Sequence, residues 1–279
     1  MIQNKTLLIT GGTGSVGQAL IDLFLSTEVK RIIVFSRDEI NQQLTKVKYN
    51  NSKLDFYVGD IRDYESVNHA MKGVDYVIHT AAMKLVPFCE RHPLEATKIN
   101  IFGTNNVIQA AINNNVKKIV HVATDKVVSI NSAYSMTKAL AERILFTYSD
   151  RIHVTSVRFG NLLGSRASVI GIWDEQRKQG KPLTVAPFEM TRYAMTKKQA
   201  AELCYDALLY GENGSHHVKE IPIFRLGDLI QAYSEVHNYY NIKKIPMRPG
   251  EQMHEKLMDD FEPKQITVTE LKQIIKEGI

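Results

Sequence analysis

Only two cysteines, Cys89 and Cys204, occur in 279 residues, far apart and in no Cys-x-x-Cys spacing. That excludes a disulfide framework and a cysteine zinc site, and it fits a reducing intracellular compartment. No run approaches the ~20 apolar residues that cross a bilayer, and residues 1–5 lack the charged-then-apolar order of a signal peptide. A soluble, cytoplasmic protein with no membrane partner is expected. Dense Lys/Arg runs and internal repeats are also missing, so no nucleic-acid arm is expected. The small basic excess, 35 against 30, still suits phosphate-bearing small ligands. No His/Cys/Asp/Glu pattern with metal-ligand spacing stands out, and His216 and His217, in a Gly/Asn-rich stretch, read as solvent-facing.

What is there is a globular composition, 44% hydrophobic and 23% charged, long enough for one large domain or two small ones. Short β-branched runs at 6–10, 31–35, 54–58, 76–79, 118–122 and 153–158 alternate with helical patterns. That alternation predicts an α/β, Rossmann doubly wound parallel sheet. Pro93 starts a long helical pattern to about Asn113, with Ile101, Phe102, Ile108 and Ile112 as a candidate subunit face. Beyond Arg158 the regularity fades into glycine, proline and short apolar runs, which predicts a smaller, discontinuous cap. The expected division is a dinucleotide-binding domain at 1–159, with 193–219 returning to it, and a substrate cap formed by 160–192 and 220–279.

Gly11, Gly14 and Gly17 form a GxxGxxG directly after the first strand and at the start of a helical run. Glycines there permit a tight turn and a close approach of backbone to a pyrophosphate at a helix N-terminus. The second strand ends in Ser36 and Arg37, where an NAD-preferring site usually places an acid, so a hydroxyl and a guanidinium favour NADP over NAD. The lesser alternative is that Arg37 is only a solvated loop charge. Asp60, before Ile61, could bind the adenine amino group or cap a helix. The fifth strand runs into Thr124, Asp125 and Lys126, followed by Tyr134 and Lys138. At i, i+4 spacing Tyr134 and Lys138 share a helix face, so the ammonium can lower the phenol pKa and make it a base for a sugar hydroxyl.

These motifs together resemble the extended short-chain dehydrogenase/reductase superfamily. The finer pattern, FSRDE at 35–39, GDIRD at 59–63, HTAAMKLVPFCERHPLEATKINIFGT at 79–104, RFGNLLGSRASVI at 158–170, MTRYAMT at 190–196 and RPGEQMHEKLM at 248–258, resembles the inverting UDP-N-acetylglucosamine 4,6-dehydratases. The resemblance implies Asp125 as the acid at O6 and Lys126 as the base at C5, aided by a lowered lysine pKa, with Thr124, Tyr134 and Lys138 serving oxidation at C4. An L-configured 4-keto-6-deoxy product follows. It also implies a cofactor surface of Gly11, Thr13, Gly14, Ser15, Gly17, Ser36, Arg37, Asp60, Ile61, Ala81, Ala82 and Lys84 together with Tyr134 and Lys138. Substrate contacts would come from Lys84, Asn100, Asn161, Arg166, Arg192, Arg248 and Glu251, and the assembly would be a homodimer or larger. Glu251 could instead orient Arg248, and His254 reads as a packing residue at helical spacing. Residues 127–131 depart from the family's small residues and proline. A 4-epimerase or 4-keto reductase, which has no use for Asp125 and Lys126, and a non-catalytic NADP sensor are the competing readings.

Overall fold

The computed structural model describes residues 2–165, 168–258 and 262–277. In chain order its first half runs β1 (Thr6–Thr10), α1 (Ser15–Leu25), β2 (Arg31–Ser36), α2 (Glu39–Tyr49), β3 (Leu54–Val58), α3 (Tyr64–Ala70), β4 (Tyr76–His79), α4 (Val86–Arg91) and α5 (Pro93–Thr97). A π-helical turn, Lys98–Gly103, joins α5 to α6 (Thr104–Asn113), and β5 (Lys118–Val122), a 3-10 turn (Asp125–Val127), α7 (Ala133–Phe146) and β6 (His153–Val157) follow. The remainder is α8 (Val169–Lys178), β7 (Leu183–Val185), β8 (Thr191–Tyr193), α9 (Lys197–Tyr210), β9 (Ser215–His217), β10 (Ile223–Arg225), α10 (Leu226–His237), β11 (Ile242–Lys244) and α11 (Val268–Lys276).

Seven strands form a parallel sheet in the order β3-β2-β1-β4-β5-β6-β9. Both faces are covered, which is why the strands read as continuous apolar runs. Leu7, Ile9, Ile32 and Val34 point into one core with Leu20, Ile21 and Phe24 of α1 and the apolar side of α9. Their neighbours Leu8, Ile33 and Phe35 point into the other, with Val67 of α3, Val107 and Ile108 of α6 and Leu145 of α7. Strand order reverses at β1, between β2 and β4, and that crossover is where an open α/β sheet holds its ligand. Residues 163–194 and 224–275 build a third apolar cluster around Trp173, Phe224 and Tyr233, carried on the β7–β11 and β8–β10 pairs.

Three features differ from the expected pattern. His216 and His217 lie on the edge strand β9, paired with Ser156 and Val157 of β6, instead of in a solvated loop. A three-residue strand offers too little alternation to be read from sequence. The expected single helix from Pro93 is interrupted by the π turn, which rotates Asn100 inward and seats Gly103 so close to Ile61 that an added Cβ would lie 2.6 Å from Ile61 Cδ1. Of the candidate subunit-face residues, Ile108 is 1% exposed and belongs to the core, and Ile101 and Ile112 are half-buried. Phe102 does face outward, near in sequence to exposed Phe88 and Leu94, while α7 presents Met136 and Leu140. No helix among the described residues is long and apolar enough to cross a membrane.

Candidate active site

The glycine loop leaves β1 with Gly11 at φ +67°, and a Cβ there would meet Thr80 Oγ1 at 2.8 Å and Ala81 N at 2.9 Å. Gly17 sits so tightly against the loop that its Cβ would lie 2.5 Å from Gly12 Cα. Gly14 caps α1 without any side-chain cap hydrogen bond, and Thr13 and Ser15 flank it. An uncapped first turn of an eleven-residue helix, behind a loop with no room for a Cβ at Gly11 or Gly12, fits a dinucleotide pyrophosphate. At the end of β2, Arg37 is 66% exposed in its side chain and lies 3.9 Å from Asp60. Burial would raise the Asp60 carboxyl, but Arg62, with Arg37 behind it, holds it below the usual range. Asp60 therefore folds back onto Arg62, and Ile61 is buried under α6. Ser36 Oγ accepts from Gln42 Nε2 at 3.1 Å.

The chemical end lies where β4 and β5 deliver their C-terminal loops. Thr124 caps the 3-10 turn through Lys126 N–H, and Ser132 starts α7 with a capping box, which fixes Tyr134 near the helix start. Gln252 donates to Ser129 O, so the unusual 127–131 segment is tied down from the cap side. Thr124, Lys126, Tyr134 and Lys138 line one cavity of about 280 Å³ with Ala82, Lys84, Asn161, Arg192, Arg248 and Glu251. An adjoining lobe of about 260 Å³, walled by Ile170, Phe224 and Ile245, repeats Lys84, Asn161, Arg192 and Arg248. Ten of the expected residues thus border a single cleft that has an apolar slot at one end. A roomier groove of about 700 Å³ between α1 and α9 includes only Ser15 from the expected set.

Within the cleft the electrostatics differ from the spacing argument. Lys138 Nζ donates to Val122 O at 2.7 Å and approaches His121 Nε2 at 3.0 Å. Burial lowers its pKa to about 8, with Glu142 opposing. The cation acting on the Tyr134 phenol is instead Lys126, aided by a hydrogen bond with Thr124. Burial outweighs both and pushes the phenol up to about 12. Lys126 itself was expected to have a lowered pKa. Burial does act that way, but Asp125 and Glu255 overcome it and raise the ammonium above its usual value. Lys126 Nζ lies 3.2 Å from Asp125 Oδ1 and 2.7 Å from Glu255 Oε1. Asp125, 1% exposed, also accepts from Thr124 Oγ1 at 2.9 Å.

Several expected substrate contacts have other partners. Asn100 is 1% exposed, accepts from Met83 N–H at 2.8 Å and donates to Met83 O and Thr137 Oγ1, each at 3.0 Å. It shapes the loop carrying Ala81, Ala82 and Lys84 and does not face the cleft. Arg192 Nη1 donates to Thr191 O at 2.7 Å and Gln252 O at 3.0 Å, while its Nε pairs with Glu255 at 3.3 Å. Glu251 Oε2 accepts from Arg248 N–H at 3.0 Å, the orienting option. Arg166 lies outside the described residues. His254 is exposed on an extended segment beside Thr191 Oγ1, 3.0 Å away, and not on a helix. Its neighbour Glu255 is the residue that sequence reasoning missed. An acid in a loop far along the chain carries no spacing signal toward Lys126.

Residues 7–277, almost the whole chain, match the family described as polysaccharide biosynthesis protein. The chain belongs to that family. Within reach of it, a UDP-glucose 4-epimerase of Rickettsia rickettsii is 40% identical over 94% of this chain and 80% of the relative, and one from Rickettsia prowazekii is 41% identical over 92% and 79%. Among solved structures, Pen from Bacillus thuringiensis superposes with a TM-score of 0.94 at 34% identity over 99% of this chain and 98% of that one. A dTDP-glucose 4,6-dehydratase from Streptomyces venezuelae, solved with NAD bound, shares the fold at TM-score 0.85 and 20% identity over 97% and 96%. This member of the polysaccharide biosynthesis family is accordingly an enzyme of the nucleotide-sugar epimerase/dehydratase class, with the fold that such enzymes share.

Proposed function

We propose that the protein dehydrates UDP-N-acetylglucosamine to a UDP-2-acetamido-2,6-dideoxy-4-hexulose with inversion at C5. The observation that carries this reading is the buried Asp125–Lys126–Glu255 cluster on the wall shared with Tyr134. Epimerisation at C4 needs the Tyr134 phenol but has no work for a second acid and base. Dehydration across C5 and C6 needs one of each.

Tyr134 receives the proton of the C4 hydroxyl, with Thr124 as its hydrogen-bond partner and Lys126 as the cation favouring the phenolate. Gly11, Gly14, Gly17 and the first turn of α1 hold the dinucleotide, with Arg37 and Ser36 toward the adenine ribose, where a 2′-phosphate makes it NADP. When bound, that cofactor supplies a hydride acceptor at C4 and a hydride donor at C6. Lys126 removes the C5 proton that a 4-ketone has acidified, and Asp125 protonates the departing C6 oxygen. Lys84, Asn161 and Arg248 face the diphosphate, and the apolar slot beside them takes the uracil ring. Exposed Phe88, Leu94, Phe102, Met136 and Leu140 form the face on which two copies pair as a homodimer.

One observation favours a second reading, a 4-epimerase: the Rickettsia relatives carry that name. Asp125→Asn, which removes the acid at O6 and leaves the Lys126 cation beside Tyr134, separates the two. On the dehydratase reading the variant still reduces bound nicotinamide transiently but forms no 6-methyl product. Undiminished turnover to a C4 epimer would discard dehydration.

A further inference from the structure

Glu255, inside the 248–258 segment, carries no spacing signal toward Lys126, yet its side chain is only 2% exposed and sits among the charged groups of Asp125, Lys126 and Arg192. Oε1 lies 2.7 Å from Lys126 Nζ and 3.3 Å from Arg192 Nε on β8. Its carboxyl faces that of Asp125 closely enough for the two to share a proton. Among the described residues, the buried Asp125 Oδ2 and Glu255 Oε2 have no hydrogen-bond partner. Two ionised carboxylates that face each other in a buried cluster repel, whereas one proton between them satisfies both. Gly160 makes the room, since a Cβ there would lie 2.6 Å from Asp125 Oδ2. Tyr193 completes the surroundings, its phenol oxygen accepting from Leu257 N–H.

The dehydratase reading, on which this inference rests, meets a difficulty in the resting charges. Lys126 is an ammonium and Asp125 a carboxylate, the reverse of what a base at C5 and an acid at O6 require. We propose that Glu255 carries a proton from Lys126 to Asp125 and so sets both groups in their reactive forms. The Lys126 N–H bond breaks as an O–H bond forms at Glu255 Oε1, and a proton passes from Oε2 to Asp125 Oδ2. Lys126 is then a free amine and Asp125 a carboxylic acid. In the dehydration, the C5–H pair becomes the C5–C6 double bond while the proton joins Lys126. The C6–O pair leaves with oxygen, which takes the Asp125 proton and departs as water. The cluster ends with the proton count it began with and the relay is reset.

The direct route from Lys126 to Asp125 is longer, 3.2 Å, and leads to Oδ1, which already accepts from Thr124. The route through Glu255 begins at 2.7 Å and ends on the open oxygen. Burial and Asp125 push Glu255 up to about 7, with Lys126 and Arg192 opposing, so the carboxyl exchanges its proton near neutrality.

Glu255 touches the acid and the base, not the reacting carbon, so it is a positioning residue for protons and its test is a pH profile. Wild type, Glu255→Gln and Glu255→Asp are incubated with UDP-N-acetylglucosamine and NADP in heavy water, following reduced nicotinamide by absorbance and deuterium at C5 by NMR. The expected result for Glu255→Gln is that transient reduction persists, C5 exchange falls about 100-fold at neutral pH, and exchange recovers as pH rises toward the lysine range. Glu255→Asp should restore part of the neutral-pH exchange. C5 exchange within about threefold of wild type, with an unshifted profile, overturns the relay. So does a loss in Glu255→Gln that no rise in pH recovers, which is the mark of a structural role. Should Glu255→Gln fail to fold, Glu255→Asp carries the test through the same limb, and an unshifted limb again overturns it. Wild-type protein that reduces the cofactor without any C5 exchange sinks the dehydratase reading itself, a different failure.

Discussion

Replacing Asn100 by alanine removes three hydrogen bonds at once, from Met83 N–H and to Met83 O and Thr137 Oγ1. Each is worth about 1 kcal/mol net, and the groups left behind are only partly open to water, so the fold should lose about 3 kcal/mol. For a chain of this length that is a fall of about 5 °C in the thermal midpoint. The freed loop carries Ala81, Ala82 and Lys84, which line or adjoin the cleft, so nicotinamide binding should weaken in parallel. Differential scanning calorimetry and titration calorimetry with NADP measure the two effects on one preparation. An unchanged midpoint together with a raised KM for the nucleotide sugar would refute the assignment and return Asn100 to the substrate. The π turn makes the outcome sharper. Its extra residue exists to turn Asn100 inward, and such turns commonly accompany functional loops.

Gly17→Ala drives a methyl against Gly12 backbone at 2.5 Å, so cofactor titration should show at least a tenfold loss of NADP affinity, and unchanged affinity would remove the glycine cradle from the account. Arg37→Ala should weaken NADP about tenfold and leave NAD within twofold; equal losses for both would show that Arg37 is a solvated charge. Glu142, gripped by Ser156, Arg158 and His216, has its carboxyl depressed from 4.5 to about 2. The sign is that of a lowered carboxylate, so its contribution of about 3 kcal/mol is complete above pH 4.5 and lost between there and pH 2. Urea unfolding of Glu142→Gln should therefore run parallel to wild type near pH 2 and fall below it at pH 6; a constant gap would contradict the linkage.

The central strands were readable because burial on both faces writes them as unbroken apolar runs, as in Leu7–Ile9 and Ile32–Phe35. The glycine loop was readable because its steric demands are local. What stayed hidden depends on distant partners. β9 exists because β6 offers it an edge, and Ile108 is core because α3 lies beneath it. Lys138 and Tyr134 do share a helix, but His121 and Val122 O hold the ammonium while Lys126 acts on the phenol. Glu255 reaches Lys126 only once the extended segment after Gly250 lies along β8, a pairing marked by the Thr191–His254 bridge. Periodicity carries no trace of such an approach.

The most direct test of dehydration uses UDP-N-acetylglucosamine carrying deuterium at C4. The account predicts that the label leaves C4 and reappears in a CH2D group at C6 of the 4-keto product, carried there within one molecule. Deuterium returned to C4 of an epimer, with no methyl signal, would contradict it.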